Sequence, residues 1–348
     1  MISPKPIYLA DYLKFERNKI PKNIKRLFYL SWEDALWDIL IKKKIKKGST
    51  VLVPEFFCGD VEDNIRNHGY KITYYPVNSR LTTSPKQLIR IIHKYSPEVL
   101  VILHPVGISN QLFRQNYWVK LLKPETILIE DSVHKIVDLN KIRFIKPNHF
   151  IIDSLRKVVP LQGSVVYAQK DDINFTEPSP FQSLRYATKV IFLWALMQIF
   201  WSLSHWANRS NVSNWLSLKA NLFMKIGYDL IGDSILPARG FFVFNFLQQF
   251  IDFEKIRRIK RRQVEFYEKN IYATIPYLDF DKGEMMAYPL VLPINIAGKV
   301  LKQIRGRGLL LNFELNDSVW SKKHKIIYLP LGPHLSENNL KYITSCIS

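Results

Sequence analysis

A short apolar run that ends in acidic residues constrains the fold of this chain more than any other feature. The run is Thr126–Glu130, and Asp131 follows it directly. It predicts a strand buried on both faces, because half-exposed strands alternate apolar and polar residues. Helical patterns such as Pro85–Tyr95 separate the early strands, and this alternation predicts an α/β fold with a mostly parallel sheet. The other predicted strands are Val51–Pro54, Ile72–Val77, Val99–His104, Phe150–Asp153 and Ser164–Ala168.

Polar side chains follow two of these strands at the edge where the strands end. Asp131 and His134 follow the first, and Lys157 comes shortly after Phe150–Asp153. Ligands of open α/β sheets bind outside the carboxyl ends of the strands, so we expect these side chains to lie close together. Pyridoxal phosphate (PLP) requires a lysine that binds its aldehyde and a carboxylate that pairs with its ring nitrogen. The alternatives are that Lys157 is a surface lysine and that Asp131 caps a helix or pairs with Lys135.

Several segments, in the same order, resemble the DegT/DnrJ/EryC1/StrS family of sugar aminotransferases. Glu130-Asp-Ser-Val-His134 resembles the family segment E-D-x-x-[QH]. The resemblance implies a fold-type-I PLP-transferase-like α/β fold, with a mostly parallel sheet flanked by helices and a small α+β C-terminal domain. It places the large domain at residues 1–244, with an apolar helical insert at about 186–232, and the small domain at 245–348. The other segments that carry the resemblance are Lys46–Pro54, Gly69–Val77, Val99–Gly107 and Ile327–Glu337.

The resemblance also implies a function and roles for particular residues. The protein would be a homodimer that transfers an amino group, from a donor such as glutamate, to a keto-sugar nucleotide in surface polysaccharide synthesis. Lys157 would bind PLP covalently and carry protons, and Asp131 would pair with the ring nitrogen. His134 would contact the ring hydroxyl, and Phe57 or Phe56 would stack on the ring. The remaining predicted cofactor-binding residues are Ser31, Trp32, Ser154, Arg156 and Arg239.

The part of the chain that corresponds to the phosphate-binding cup departs from the family pattern. The family has S-G-T-A-A-L, whereas this chain has Ser31-Trp-Glu-Asp-Ala-Leu36. Trp32 replaces a glycine, and Glu33 places a negative charge where a phosphate would bind. Pro237 replaces an asparagine, and Ser154 lies closer to the lysine than the family's serine does. Either the phosphate is held differently, for instance by Arg156 and Ser154, or the cofactor binds weakly. The altered cup also supports an alternative function, that of a non-catalytic, membrane-surface-associated binding or scaffold protein with the same fold.

The charge of the chain predicts anionic partners. The net charge is +20, concentrated in Lys42–Lys47 and Lys255–Arg262, although both runs are also compatible with solvated helix faces. We do not expect nucleic-acid binding, because no recognised binding motif accompanies the charge. Two cysteines, Cys58 and Cys346, and the lack of a signal-peptide pattern predict a cytoplasmic protein. The eight scattered histidines form no recognised metal motif.

An uncharged segment, Val190–Trp206, allows three interpretations. Its 17 residues reach the lower limit for crossing a membrane. A buried helix and a helix lying in a membrane surface are the other two. Its tryptophans, Trp194, Trp201 and Trp206, suit a water–lipid boundary. We expect peripheral contact with an anionic membrane, at its inner face, without a span. A polar stripe on the helix supports this: Gln198, Ser202, His205 and Arg209.

Overall fold

The large domain is built on a seven-stranded sheet. The computed structural model describes residues 9–171, 176–179, 181, 183–207, 210–232, 234, 236–271, 281–307, 313–314 and 317–347. The strand order is β1-β7-β6-β5-β4-β2-β3. Strands β2 to β6 are parallel, whereas β7 is antiparallel to both β6 and β1. The strands are β1 (Ile24–Tyr29), β2 (Thr50–Pro54), β3 (Lys71–Tyr75), β4 (Val99–Leu103), β5 (Ile127–Ser132), β6 (His149–Asp153) and β7 (Ser164–Gln169).

Helices cover the sheet, as the alternating pattern predicts. The central strands are buried on both faces: Leu128 faces one apolar core, and Ile127 and Ile129 face another. Asp131 lies two residues after Ile129 and so points to the same face of the sheet as Ile127 and Ile129. Helix α1 packs on that face, so the Asp131 side chain lies on the α1 side at the carboxyl end of β5. The predicted mostly parallel α/β sheet is therefore confirmed. The helices of this domain are α1 (Trp32–Lys42), α2 (Gly59–Asn67), α3 (Pro85–Tyr95), α4 (Leu184–Trp206), α5 (Ser210–Leu230) and α6 (Phe242–Leu247).

Helix α1 forms because Ser31 caps its first turn. Ser31 has an extended backbone, and its hydroxyl accepts a hydrogen bond from the Asp34 N–H at 3.0 Å. Every residue from Trp32 to Leu40 is buried, so the helix lies inside the domain rather than on its surface. The first turn of α1 is thereby fixed beside the carboxyl end of β5, where the predicted site lies.

The C-terminal part forms a smaller layer of antiparallel sheet and helices. Its strands, β8 (Ala287–Pro293), β9 (Phe313–Glu314) and β10 (His324–Pro330), have the order β8-β10-β9. Its core is continuous with one face of the large sheet, since Trp320 packs edge-on against Phe56 at 5.0 Å. The predicted small α+β region is thus present. Its helices are α7 (Phe253–Asn270), α8 (Ile294–Gly306) and α9 (Glu337–Ile347).

The predicted apolar insert is a pair of helices, α4 and α5, that pack against each other. Phe200 of α4 contacts Trp215 and Phe223 of α5, with ring centroids 6.2 and 5.3 Å apart. Leu184–Ser204 is the one segment of the described chain that is long and apolar enough to cross a membrane. Only 17% of its most apolar window is buried in the structure. The interpretation of this segment as an ordinary buried core helix is therefore wrong.

Candidate active site

A cavity of about 490 Å³ opens at the carboxyl ends of the parallel strands. It gathers side chains from strand ends, from the first turns of α1 and α2, and from α5. Seven of the predicted site residues line it, whereas Ser31 and Arg239 do not. The predicted residues in its wall are Trp32, Phe57, Asp131, His134, Ser154, Arg156 and Lys157.

Asp131 is a desolvated carboxylate at the end of β5. It is 2% exposed, and its Oδ1 accepts a hydrogen bond from the Val133 N–H at 3.1 Å. Burial raises the pKa of Asp131 to about 7, and the charge of Glu33 raises it further, against the opposing effect of that hydrogen bond. A positively charged group beside this carboxylate would remove the cost of ionising it.

His134 is a buried neutral imidazole. Its Nδ1 accepts a hydrogen bond from the Val106 N–H at 3.3 Å, so the ring proton lies on Nε2. Burial lowers the pKa of His134 to about 3, and the positive charge of Lys157 adds to this effect. His134 is therefore a hydrogen-bond donor that stays uncharged across the physiological pH range.

Lys157 ends a single helical turn, Leu155–Lys157, that directly follows β6. The turn is held by the Lys157 N–H, which donates to the Ser154 carbonyl at 3.2 Å, and by the Leu155 N–H, which donates to the Gly163 carbonyl at 2.9 Å. Gly163 has a φ of +146°, and a Cβ there would lie 2.3 Å from the Phe28 ring. Among the described residues, no carboxylate lies within ion-pair distance of Lys157. Its amine is thus available to a ligand in the cavity.

The first turn of α1 is built differently from a phosphate cup. The Ser31 hydroxyl donates to Asp34 Oδ2 at 2.6 Å, while Asp34 Oδ1 accepts from the Ala238 N–H at 2.8 Å. Ser31 is therefore engaged as a helix cap and does not line the cavity. Burial raises the pKa of Asp34 to about 7. Trp32 and Glu33 occupy the cavity wall instead, and both side chains are buried.

The two phenylalanines after β2 have different surroundings. Phe57 lines the cavity and packs edge-on against Trp32, with ring centroids 5.9 Å apart. Phe56 points into the core shared with the C-terminal sheet. Of the two stacking residues considered from the sequence, only Phe57 lies where a ligand ring would contact it.

The two predicted arginines also differ in placement. The Arg156 guanidinium lies 4.4 Å from the centre of the Tyr228 ring, and its Nε is buried without a hydrogen-bond partner among the described residues. Arg239 forms an ion pair with Glu177 at 2.5 Å and lies outside the cavity wall. Arg156 is therefore the arginine that can reach an anion in this cavity.

Sequence reasoning missed several residues of the cavity wall. Asp60 lies in the first turn of α2. Its position shortly after β2 in the sequence is a signal that could have identified it. Asp317 comes from the distant C-terminal part, and Tyr228 comes from α5; no local sequence signal marks either. Burial, with the charge of Asp317 as the next cause, raises the pKa of Asp60. The cavity contains more carboxylates than cations although the whole chain is strongly basic: Glu33, Asp60, Asp131 and Asp317 against Arg156 and Lys157.

The residues fit the ring of PLP better than its phosphate. A buried carboxylate, a neutral histidine, an aromatic ring and an unpaired lysine suit the ring and its aldehyde. Two buried donors in the cavity wall, Trp32 Nε1 and Arg156 Nε, lack hydrogen-bond partners among the described residues. The Trp32 indole lies close enough to Asp131 to lower the pKa of Asp131, yet its Nε1 forms no hydrogen bond of normal geometry with a described residue. The Glu33 carboxylate lies in the same cavity wall. No group of three or more potential ligands in the described chain is arranged to hold a metal ion.

Comparison with known proteins identifies the fold. No protein-family model and no curated protein matches the sequence. Among solved structures, the chain is similar to the protein named putative sugar aminotransferase Spr1654 from Streptococcus pneumoniae, in its PMP form. The TM-score is 0.62 and the identity 12%, over 100% of this chain and 98% of that chain.

Two further aminotransferase structures agree. CalS13 from Micromonospora echinospora has a TM-score of 0.55 at 13% identity, over 92% of this chain and 86% of that chain. A DegT DnrJ EryC1 StrS aminotransferase from Brucella abortus has a TM-score of 0.54 at 14% identity, over 92% and 84%. The chain has the fold of the fold-type-I PLP-dependent aminotransferases. The resemblance predicted from the sequence is confirmed at the level of the fold.

Proposed function

We propose that this protein is a PLP-dependent aminotransferase that acts on a sugar substrate. The observation that carries the proposal is that Lys157, Asp131 and His134 line one cavity at the carboxyl edge of the sheet. Strands β5 and β6 deliver these side chains from neighbouring positions. The similarity of the fold to sugar aminotransferases supports the same conclusion.

Each of these side chains has a chemical task that its surroundings suit. PLP, when bound, supplies an electron sink for the carbon that loses a proton. The Asp131 carboxylate keeps a proton on the ring nitrogen, since its buried position favours a cationic partner. Lys157 Nζ would hold the cofactor through its aldehyde, and once the amino donor displaced it, the freed amine would carry the proton between the two reacting carbon atoms. His134 donates from Nε2 to the ring oxygen, and Phe57 covers one face of the ring.

Phosphate binding is the weak part of this site. Arg156 Nε and Trp32 Nε1 are buried donors of the cavity wall that have no hydrogen-bond partner among the described residues. Glu33 carries a negative charge in the same wall, and in a partly desolvated site this repulsion costs about 1–4 kcal/mol. We therefore expect PLP to bind, but less tightly than in a site with an intact cup.

The proposal extends to the substrates of the enzyme, its oligomeric state and its location in the cell. We propose a keto-sugar nucleotide as the amino acceptor, an amino donor such as glutamate, a homodimer, and a cytoplasmic role in surface polysaccharide synthesis. The net charge of +20 supports an anionic substrate. The exposed Asp60 and Asp317 suit the ammonium group of an amino-sugar product.

The second candidate function is a non-catalytic scaffold with the same fold. Glu33 in the cavity wall favours it, because a carboxylate at that position is of no use to a phosphate-binding enzyme. The two candidates differ in one property, which is whether the protein binds PLP covalently and exchanges its amino group.

Absorbance spectroscopy of the purified protein tests the proposal. We expect addition of PLP to produce a visible band that glutamate then removes as the amino group is transferred to the cofactor. The Lys157→Arg variant keeps the charge and should produce neither change. A wild-type protein that shows no visible band at saturating PLP would reject the aminotransferase and favour the scaffold.

A further inference from the structure

The helices α4 and α5 end in an exposed apolar surface. We call residues 199–207 and 210–219 the hairpin tip. Large apolar side chains there face outward, including Trp206 at 66% and Leu218 at 68% exposure. Three tryptophans lie close to the turn between the helices. The exposed apolar residues of the tip are Ile199, Trp201, Leu203, Trp206, Val212, Trp215 and Leu218.

The other end of the hairpin is fixed to the domain. Val190 and Leu193 are buried, and Trp194 packs edge-on against Phe244 of α6 at 5.0 Å. Among the described residues, the tip is held by contacts between the two helices, such as the Ser213 hydroxyl that donates to the Ser204 carbonyl at 2.7 Å. The base of the hairpin is therefore packed on the domain, whereas the tip exposes a continuous set of large apolar side chains.

The charge around this surface is almost entirely positive. Residues 184–230, the whole hairpin, contain five lysines and arginines but a single acidic residue, Asp229, at the end near the domain, and within the tip the charged side chain is Lys219. Lys219 lies 5.7 Å from the centre of the Trp215 ring, which places a cation directly beside an exposed tryptophan. Tryptophans next to cations are typical of segments that lie at the boundary between water and anionic lipid.

We propose that the hairpin tip docks on the surface of an anionic lipid bilayer. Its tryptophans enter the headgroup region, and Lys219 pairs with a lipid phosphate. The base of the hairpin is packed on the domain, so only about ten residues of each helix are free to insert. At about 1.5 Å per residue this is about 15 Å, half of the roughly 30 Å that a span needs. The protein is attached to the membrane without crossing it.

The proposal is independent of the function proposed for the cavity. The hairpin tip contributes no residue to the cavity wall, which takes its α5 residues from the base: Met224 and Tyr228. Substitutions at the tip should therefore leave PLP absorbance unchanged. This separates loss of membrane binding from damage to the candidate active site.

Flotation with vesicles tests the proposal. The probe is phosphatidylcholine vesicles with and without phosphatidylglycerol. We expect the wild-type protein to float with the anionic vesicles at low salt and to be partly released at high salt. Replacing Trp201, Trp206 and Trp215 together by serine should lower binding at least tenfold. The matched control replaces Phe15 and Tyr117, two exposed aromatic residues outside the hairpin, by serine and should float like the wild type.

A second variant keeps the test decisive if the triple substitution prevents folding. Lys219→Glu reverses one charge at the tip and should lower binding to anionic vesicles about tenfold or more, with little effect on neutral ones. A wild-type protein that stays unbound to anionic vesicles at low salt would overturn the proposal. If the tryptophan substitutions then convert an oligomer to a monomer, a second copy of the chain covers this surface instead.

Discussion

Substitution of Asp131 by asparagine should stabilise the protein without cofactor while it abolishes activity. Asparagine keeps the acceptor for the Val133 N–H but carries no charge. In the wild type, burial raises the pKa of Asp131 from its ordinary value of 3.8 to about 7. The folded protein therefore binds a proton that the unfolded chain releases between these two values, and its stability falls as the pH rises through this range.

The size of the effect follows from the two pKa values. The difference between 3.8 and about 7 corresponds to about 4 kcal/mol once the carboxylate is fully ionised. At about pH 5.5 roughly half of this cost is present, and by about pH 8.5 all of it is. The stability gained by Asp131→Asn should therefore increase by about 2 kcal/mol between these two pH values.

Urea unfolding of the cofactor-free protein at both pH values measures this increase. Ser132→Ala, an uncharged change at the neighbouring buried position, is the control and should show the same stability change at both values. Saturating PLP should reduce the advantage of the asparagine variant, because the ring nitrogen provides the missing positive charge. A stability change in Asp131→Asn that does not depend on pH would refute the idea of a desolvated, ionisable carboxylate.

Two further substitutions test the phosphate side and the lysine turn. Glu33→Thr should tighten PLP binding by about fivefold or more in an absorbance titration, because it removes a negative charge from the cavity wall. Glu125→Thr, at an exposed glutamate, is its control, and weaker binding in Glu33→Thr would place Glu33 away from the phosphate. Gly163→Ala should destabilise the protein by about 3 kcal/mol, since its Cβ meets the Phe28 ring at a positive φ. Gly298→Ala, in open space on α8, should instead stabilise it by up to about 1 kcal/mol in the same urea assay, and equal effects at the two glycines would contradict the strain at Gly163.

The parallel sheet could be predicted from the sequence because its central strands are uninterrupted apolar runs. The same runs place Asp131 and Lys157 at strand ends, and the structure brings both to one cavity. The direction of β7 could not be predicted, because the apolar pattern of a buried strand is the same in either direction.

Contacts between distant parts of the chain could not be predicted from sequence patterns. Asp317 and Tyr228 reach the cavity from the C-terminal part and from α5, and neither lies in a recognisable motif. Arg239 matches a family position, but an ion pair with Glu177 holds it outside the cavity wall. The exposure of the hairpin tip was equally hidden, since composition alone does not separate a buried helix from one at a membrane surface.

Identifying the residue to which PLP is covalently attached is the measurement that tests the proposed function most directly. The protein is incubated with PLP and reduced with borohydride, and the modified peptide is identified by mass spectrometry. We predict that the cofactor is fixed to Lys157 alone and that Lys157→Arg, which keeps the charge, retains none. Attachment spread over surface lysines, or no attachment in the wild type, would contradict a PLP-dependent enzyme built on this cavity.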